Sequence, residues 1–179
     1  FIPRMSNYFS KNDLKSVINL YDQQTKLGMI ILSSTSIMMA IYSYELIYAW
    51  SGSKEAALFA GPILKYYALG NGLLGLSSFL YNLQYVHGNL TYHVKINTVY
   101  PLITLPIMLY GVYNYGALGA AKAWFIIRII SFLIITPLIH NVFIKGYHLK
   151  WLKKNILPPF FLTLSYVFLI HYLHIPLIT

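Results

Sequence analysis

The chain contains no cysteine, and only four of its 179 residues are acidic. Without thiols there is no disulfide framework, no thiolate nucleophile and no zinc–thiolate site. So few carboxylates leave little material for paired-acid catalysis or oxygen-rich metal sites. Charged residues of both signs make up 9% of the chain, against roughly a quarter in ordinary soluble domains. A polar shell for a soluble domain cannot be assembled from that supply. A nucleophile elbow and a phosphate-cradling glycine loop are also missing, as is the sustained apolar–polar alternation of barrel strands. An enzyme is not expected, and neither is a cofactor.

What the chain does have is apolar length. It is 58% hydrophobic, and a helix crossing a bilayer needs about 20 such residues, at 1.5 Å per residue through ~30 Å of hydrocarbon. Five stretches qualify: 27–50, 57–86, 97–114, 117–140 and 157–176. The expected fold is therefore an all-α polytopic membrane protein with five transmembrane helices. Residues 27–140 hold four of them, and 157–179 carry an additional one. Residues 1–26 are polar, with Leu14, Ile18 and Tyr21 at helical spacing, and read as an amphipathic linker lying at the surface. The ends "FIPRMSNYF" and "HIPLIT" read as those of a fragment from a longer chain.

The basic residues give the chain a direction. A net charge of +9 could point to nucleic acid, but these residues lie mainly in short loops rather than along one face. Loops 1–26, 87–96 and 141–156 fall on one side of a five-span topology and hold Arg4, Lys11, Lys15, Lys26, Lys95, Lys145, Lys150, Lys153 and Lys154. The other side holds Lys54 beside Glu55. By the positive-inside rule the first set is cytoplasmic, and no nucleic-acid partner is expected. "LQYVHGNLTYHVKIN" (83–97) is then a cytoplasmic turn, with Gly88 reversing the chain and His87, Lys95 and Asn97 as its polar residues.

Ionisable groups within spans are costly and usually face a bundle interior or a wet cavity. Four qualify here. Arg128 lies eleven residues beyond Ala117, about 17 Å into its helix and too deep to reach the interface easily. It is the leading candidate for a pathway. Lys122 and Lys65 either line the same cavity or extend to the headgroups. Glu45, near the outer end of the first span, either lines a cavity or makes a packing contact. Lys122 and Arg128 are about 120° apart around the helix and need not share a face. In "YGALGAAKAW" (115–124), the pairs Gly116/Ala120 and Gly119/Ala123 predict a tight turn followed by close helix contact. His171 and His174 are spaced to share a metal, but no carboxylate or cysteine lies beside them, so no metal site is expected.

Four stretches together resemble the C-terminal half of the Wzx-type O-antigen and polysaccharide flippases, in the multidrug/oligosaccharidyl-lipid/polysaccharide exporter superfamily. They are "IPRMSNYFSKND", "LQYVHGNLTYHVKIN", "YGALGAAKAWFIIR" and "PLIHNVFIKGYHLKWLKKNILPP". The resemblance implies the second lobe of a two-lobe, V-shaped exporter in the bacterial inner membrane. Such a protein moves an undecaprenyl-diphosphate-linked oligosaccharide across the membrane by alternating access. Membrane lipids, a polysaccharide polymerase and chain-length machinery are its implied partners. Arg128, Lys122, Lys65 and Glu45 would line the cavity. The alternatives are a drug or cation antiporter or a lipid II flippase of the same superfamily, a membrane glycosyltransferase or polymerase, and a scaffold subunit. An antiporter usually needs a deep carboxylate, and Glu45 is peripheral.

Overall fold

The computed structural model describes residues 1–172, and every element in them is helical, with no strand among the described residues. The chain is thus all-α, as expected. The end of the 157–176 stretch lies outside the described residues, as do the His171 side chain and His174.

Helix α1 (Ile2–Ser10) is followed by α2 (Leu14–Ile41), whose N-cap Asp13 accepts a hydrogen bond from the Ser16 amide at 3.1 Å. Here the structure departs from the surface linker expected over 1–26. Residues 14–26 continue directly into the apolar part of α2, and Val17, Leu20, Tyr21, Asp22, Gln24 and Thr25 are buried. The stretch looked polar because its polar side chains have partners far along the sequence. At Tyr42 the chain bends by 73° into α3 (Ser43–Ser51), so 27–50 is a broken segment rather than one straight helix. Gly52 ends α3 in the left-handed conformation, and α4 (Lys54–Val86) then passes beneath it. Gly61 allows that approach, since a Cβ there would meet the Tyr44 Cα at 3.2 Å.

Among the described residues, helix α5 (Thr91–Phe143) is the one helix long and apolar enough to cross a membrane by itself. The bent pair Leu14–Ile41 with Ser43–Ser51 passes the same test only when taken together. A straight helix of 53 residues would run for about 80 Å, but α5 breaks at Gly116, where φ is +62° and ψ −154°. It therefore forms two legs, 91–115 and 117–143, about 37 and 40 Å long. The legs fold back on each other, and Gly111 meets Gly119 backbone to backbone; a Cβ on Gly111 would lie 2.8 Å from the Gly119 carbonyl oxygen. The turn and close contact expected from "YGALGAAKAW" are both present, with the contact one helical turn further on.

The remaining contacts set the directions. Helix α4 runs antiparallel to the first leg, bringing the Tyr81 and His93 rings to 4.6 Å across the Gly88 turn. It runs parallel to the second leg, with Tyr66 on Phe125 and His87 on Phe143. Helix α2 is antiparallel to α4, with Gly72 against Ser36 and Gly75 against Leu32. After Gly146, α6 (His148–Trp151) leads through a π-helical turn (Leu152–Ile156) into α7 (Leu157–Tyr172). Helix α7 lies along α2, joined by a Ser33–Thr163 hydroxyl pair at 3.1 Å. The start of α2, the turn at 87–90 and the 144–156 joint therefore gather at one end of the bundle, and these are the basic segments. Gly52 and Gly116 mark the other end.

Candidate functional site

Three polar places stand out, and they divide the expected site residues among them. The first surrounds Arg128. Its guanidinium lies between two aromatic rings, 4.0 Å from the Trp124 centroid and 4.6 Å from that of Tyr100. No carboxylate pairs with it; the one ion pair among the described residues is elsewhere. The Arg128 Nε is buried without a hydrogen-bond partner. Stacking on aromatic faces suits a guanidinium, which is weakly hydrated and leaves its in-plane donors free for an anion.

Arg128 lines a cavity of about 540 Å³ between α4 and the α5 hairpin. Ser77, Ser78, Gln84, His93, Asn97 and Ser131 contribute polar groups to the wall. Gln84 is 2% exposed, and its Nε2 donates to the Leu80 carbonyl while its Oε1 has no partner. The Tyr100 hydroxyl is likewise unpartnered. Asn97 Nδ2 donates to His93 Nε2 at 2.8 Å. A buried polar group without a partner costs free energy, so several around one cavity mark a place suited to water or a polar ligand.

The other residues of the 83–97 turn take different positions. His87 is held by the Leu83 carbonyl at 2.8 Å and sits between the Phe9 and Phe143 rings, a packing role. Gly88 supplies the positive φ, +66°, that reverses the chain. Lys95 lies exposed beside an apolar groove on the outer side of the hairpin. Asn97, expected as a loop residue, lines the Arg128 cavity.

The second place is a recess of about 340 Å³ near the opposite end, lined by Lys65, Lys122, Tyr44 and Tyr66. The Lys122 ammonium lies 5.8 Å from the Tyr66 centroid. Lys65 and Lys122 are thus brought together, but apart from Arg128. This corrects the grouping of all three in one cavity, and the cause is the helical rotation between residues 122 and 128. Glu45 joins neither group. It is exposed in the first turn of α3, past the 73° bend.

The third place was not visible from the sequence. Asp22 is 3% exposed and gathers donors from the 144–156 joint. Tyr147 Oη donates to its carboxylate at 2.6 and 2.7 Å, Asn155 Nδ2 at 2.5 Å and Lys154 Nζ at 2.7 Å. The π-helical turn sets Lys154 and Asn155 so that neighbouring residues reach one carboxylate. Burial and the Asp22 hydrogen bond push the Tyr147 phenol up, so it stays protonated and donating. One residue earlier, Tyr21 is fully buried and pairs with His140 Nε2 at 2.9 Å. His140 Nδ1 in turn meets His148 Nδ1 at 3.0 Å. A single proton lies between those two ring nitrogens, and burial holds the His148 imidazole below its usual range. Trp151 closes the cluster, donating to Thr25 Oγ1 at 3.3 Å and covering His140. Glu45 is therefore not the carboxylate to consider for buried chemistry; Asp22 is. The available signal was supply: with four acids among thirteen bases, each acid has cations competing for it.

No group of three or more metal-ligating side chains occurs among the described residues. Compared with protein-family models, curated proteins and solved structures, the chain matches none.

Proposed function

We propose that this chain supplies five helices of the second lobe of a membrane flippase that carries a lipid-diphosphate-linked oligosaccharide across the bacterial cytoplasmic membrane by alternating access. The observation that carries the reading is Arg128, a cation without a carboxylate, stacked on Trp124 and Tyr100 and lining a cavity whose wall carries several polar groups among apolar ones. A diphosphate brings the negative charge that this guanidinium lacks, and a glycan brings hydroxyls for Gln84, Asn97 and Tyr100. Stacking orients the guanidinium without saturating it, so the head is attracted and can still be released.

In this proposal five segments cross the bilayer: α2 with α3, α4, the two legs of α5, and α7. The outward surfaces of both legs support it, since Leu102, Leu105, Leu109, Leu133 and Leu138 are exposed, and a contiguous apolar surface of that kind requires cover by lipid or protein. The basic segments gathered at one end form the cytoplasmic side. Polysaccharide-polymerising machinery is the partner expected downstream.

Arg128→Gln, compared with Arg128→Lys and wild type at matched membrane levels, tests the reading. Export of the glycan should fall at least tenfold in Arg128→Gln and recover in part with lysine. Wild-type export by a correctly inserted Arg128→Gln protein would overturn it.

A further inference from the structure

The Arg128 cavity has an apolar neighbour. On the other side of the hairpin a groove of about 380 Å³ runs between the legs of α5, walled by Val99, Ile103, Ile107, Ile127, Ile130 and Ile134. Its shape follows from the glycine contact. Gly111 and Gly119 bring the legs together near the Gly116 turn, and away from it the bulk of the isoleucines holds them apart. Lys95 lines the groove at the basic end of the bundle.

The two spaces share a wall. Ile96, Tyr100, Ser131 and Ile135 line both. Tyr100 turns its ring toward the Arg128 guanidinium and also forms part of the groove wall. A cavity of mixed lining that holds an unpaired cation thus shares its boundary with a branched-aliphatic groove. Separate ligands for head and chain would not require a common wall, whereas one amphiphile does.

We infer that the groove between the two legs of α5 binds the hydrocarbon chain of the same molecule whose anionic head is held at Arg128. The site is thus divided between a diphosphate compartment and a chain compartment that meet at Tyr100. This rests on the proposed function and adds to it: the chain is gripped by the protein during transport instead of being left to the surrounding bilayer. The groove's aliphatic lining suits a methyl-branched isoprenoid, and Lys95 at the basic end supplies a second positive charge along the path.

Binding of two probes to the purified full chain in detergent micelles tests this, with inorganic diphosphate for the head alone and farnesyl diphosphate for head and chain. Wild type should hold farnesyl diphosphate at least tenfold more tightly than diphosphate. Ile103→Trp or Val99→Trp, each filling the groove, should remove most of that gain and leave diphosphate binding unchanged. Arg128→Gln should weaken both. Two different tryptophan positions are used so that misfolding of one does not decide the result, and far-UV circular dichroism checks each. If diphosphate binds through Arg128 but the farnesyl chain adds nothing, or if both tryptophan variants keep the gain, the chain compartment is wrong and the head site stands. If excess phosphatidylglycerol abolishes the farnesyl gain, the groove holds ordinary membrane lipid and the inference is again wrong. If neither probe binds wild type, both the inference and the proposed function fall.

Discussion

Replacing Asp22 with alanine should destabilise the basic end of the bundle through the donors it leaves behind. Its carboxylate is the acceptor for the Tyr147 hydroxyl and the Asn155 amide, which belong to residues 8% and 0% exposed. Removing the acceptor leaves both donors buried and unpaired, at about 1–3 kcal/mol each. Lys154 is different. Its side chain is 46% exposed, so in Asp22→Ala the freed ammonium returns to water at little cost. The expected cost of Asp22→Ala is therefore about 2–6 kcal/mol, and that of Lys154→Met, which leaves the buried Asp22 carboxylate on its two neutral donors, is smaller, about 1–3 kcal/mol. Asp22→Asn falls between: one oxygen still accepts from Tyr147, and the new amide can donate to Asn155 Oδ1, which has no partner at present. Thermal unfolding in micelles, followed by tryptophan fluorescence, measures the series. A loss of 3 kcal/mol corresponds to a fall of about 6–12 °C for a two-state unit of this size. Equal losses from Lys154→Met and Asp22→Ala would refute the reasoning, because the ion pair and not the buried donors would then dominate. A neutral Asp22→Ala would refute it as well.

Two further outcomes follow from the geometry. Gly119→Leu should prevent the legs from closing, since any Cβ there strikes the Gly111 carbonyl. Gly116→Ala meets no neighbour and should cost only the strain of a conformation that glycine alone adopts readily, about 1–3 kcal/mol, so proteolysis near the turn should rise sharply in the first variant and less in the second. Acidification should loosen the 144–156 joint. The folded state holds His148 neutral and its pKa below the usual value of 6.5, so its contribution is complete above about pH 6.5 and declines as pH falls toward the folded value. The groups facing it are His140, Trp151 and, through His140, Tyr21, with Lys150 and Lys154 nearby on the same joint. The unfolding temperature should drop between pH 7.5 and 5.5, and His148→Gln should reduce that drop; an unchanged pH dependence in the variant would exclude His148 as its source.

Much of the architecture was legible because it is written locally. The reversal at Gly116 follows from small residues at helical spacing, and Arg128 stood out because its depth makes a solvent-exposed position difficult. The gathering of the basic loops followed from their alternation with apolar segments. Asp22 was not legible for the opposite reason: its donors Tyr147, Lys154 and Asn155 are more than a hundred residues away, and a polar stretch whose partners are distant looks like a surface. The separation of Lys122 from Arg128 could be anticipated as an angle. The joining of Lys122 with Lys65 depends on how α4 lies against the second leg, which no local pattern specifies. Asn97 was assigned to the turn for a similar reason, because the helix begins at Thr91 and carries it to the wall of the Arg128 cavity.

The contact between Gly111 and Gly119 has a mechanical consequence. Because the legs touch there backbone to backbone, with no side chain between them, the crossing is a fulcrum placed near one end of two long levers. Lys95 lies sixteen residues from Gly111 along the first leg, about 24 Å, so each degree of scissoring moves that end by about 0.4 Å. A rotation of a few degrees, small enough to leave the glycine contact intact, would change the groove's width at its basic end by more than an ångström. Bulkier residues at the crossing would shift the pivot and stiffen it.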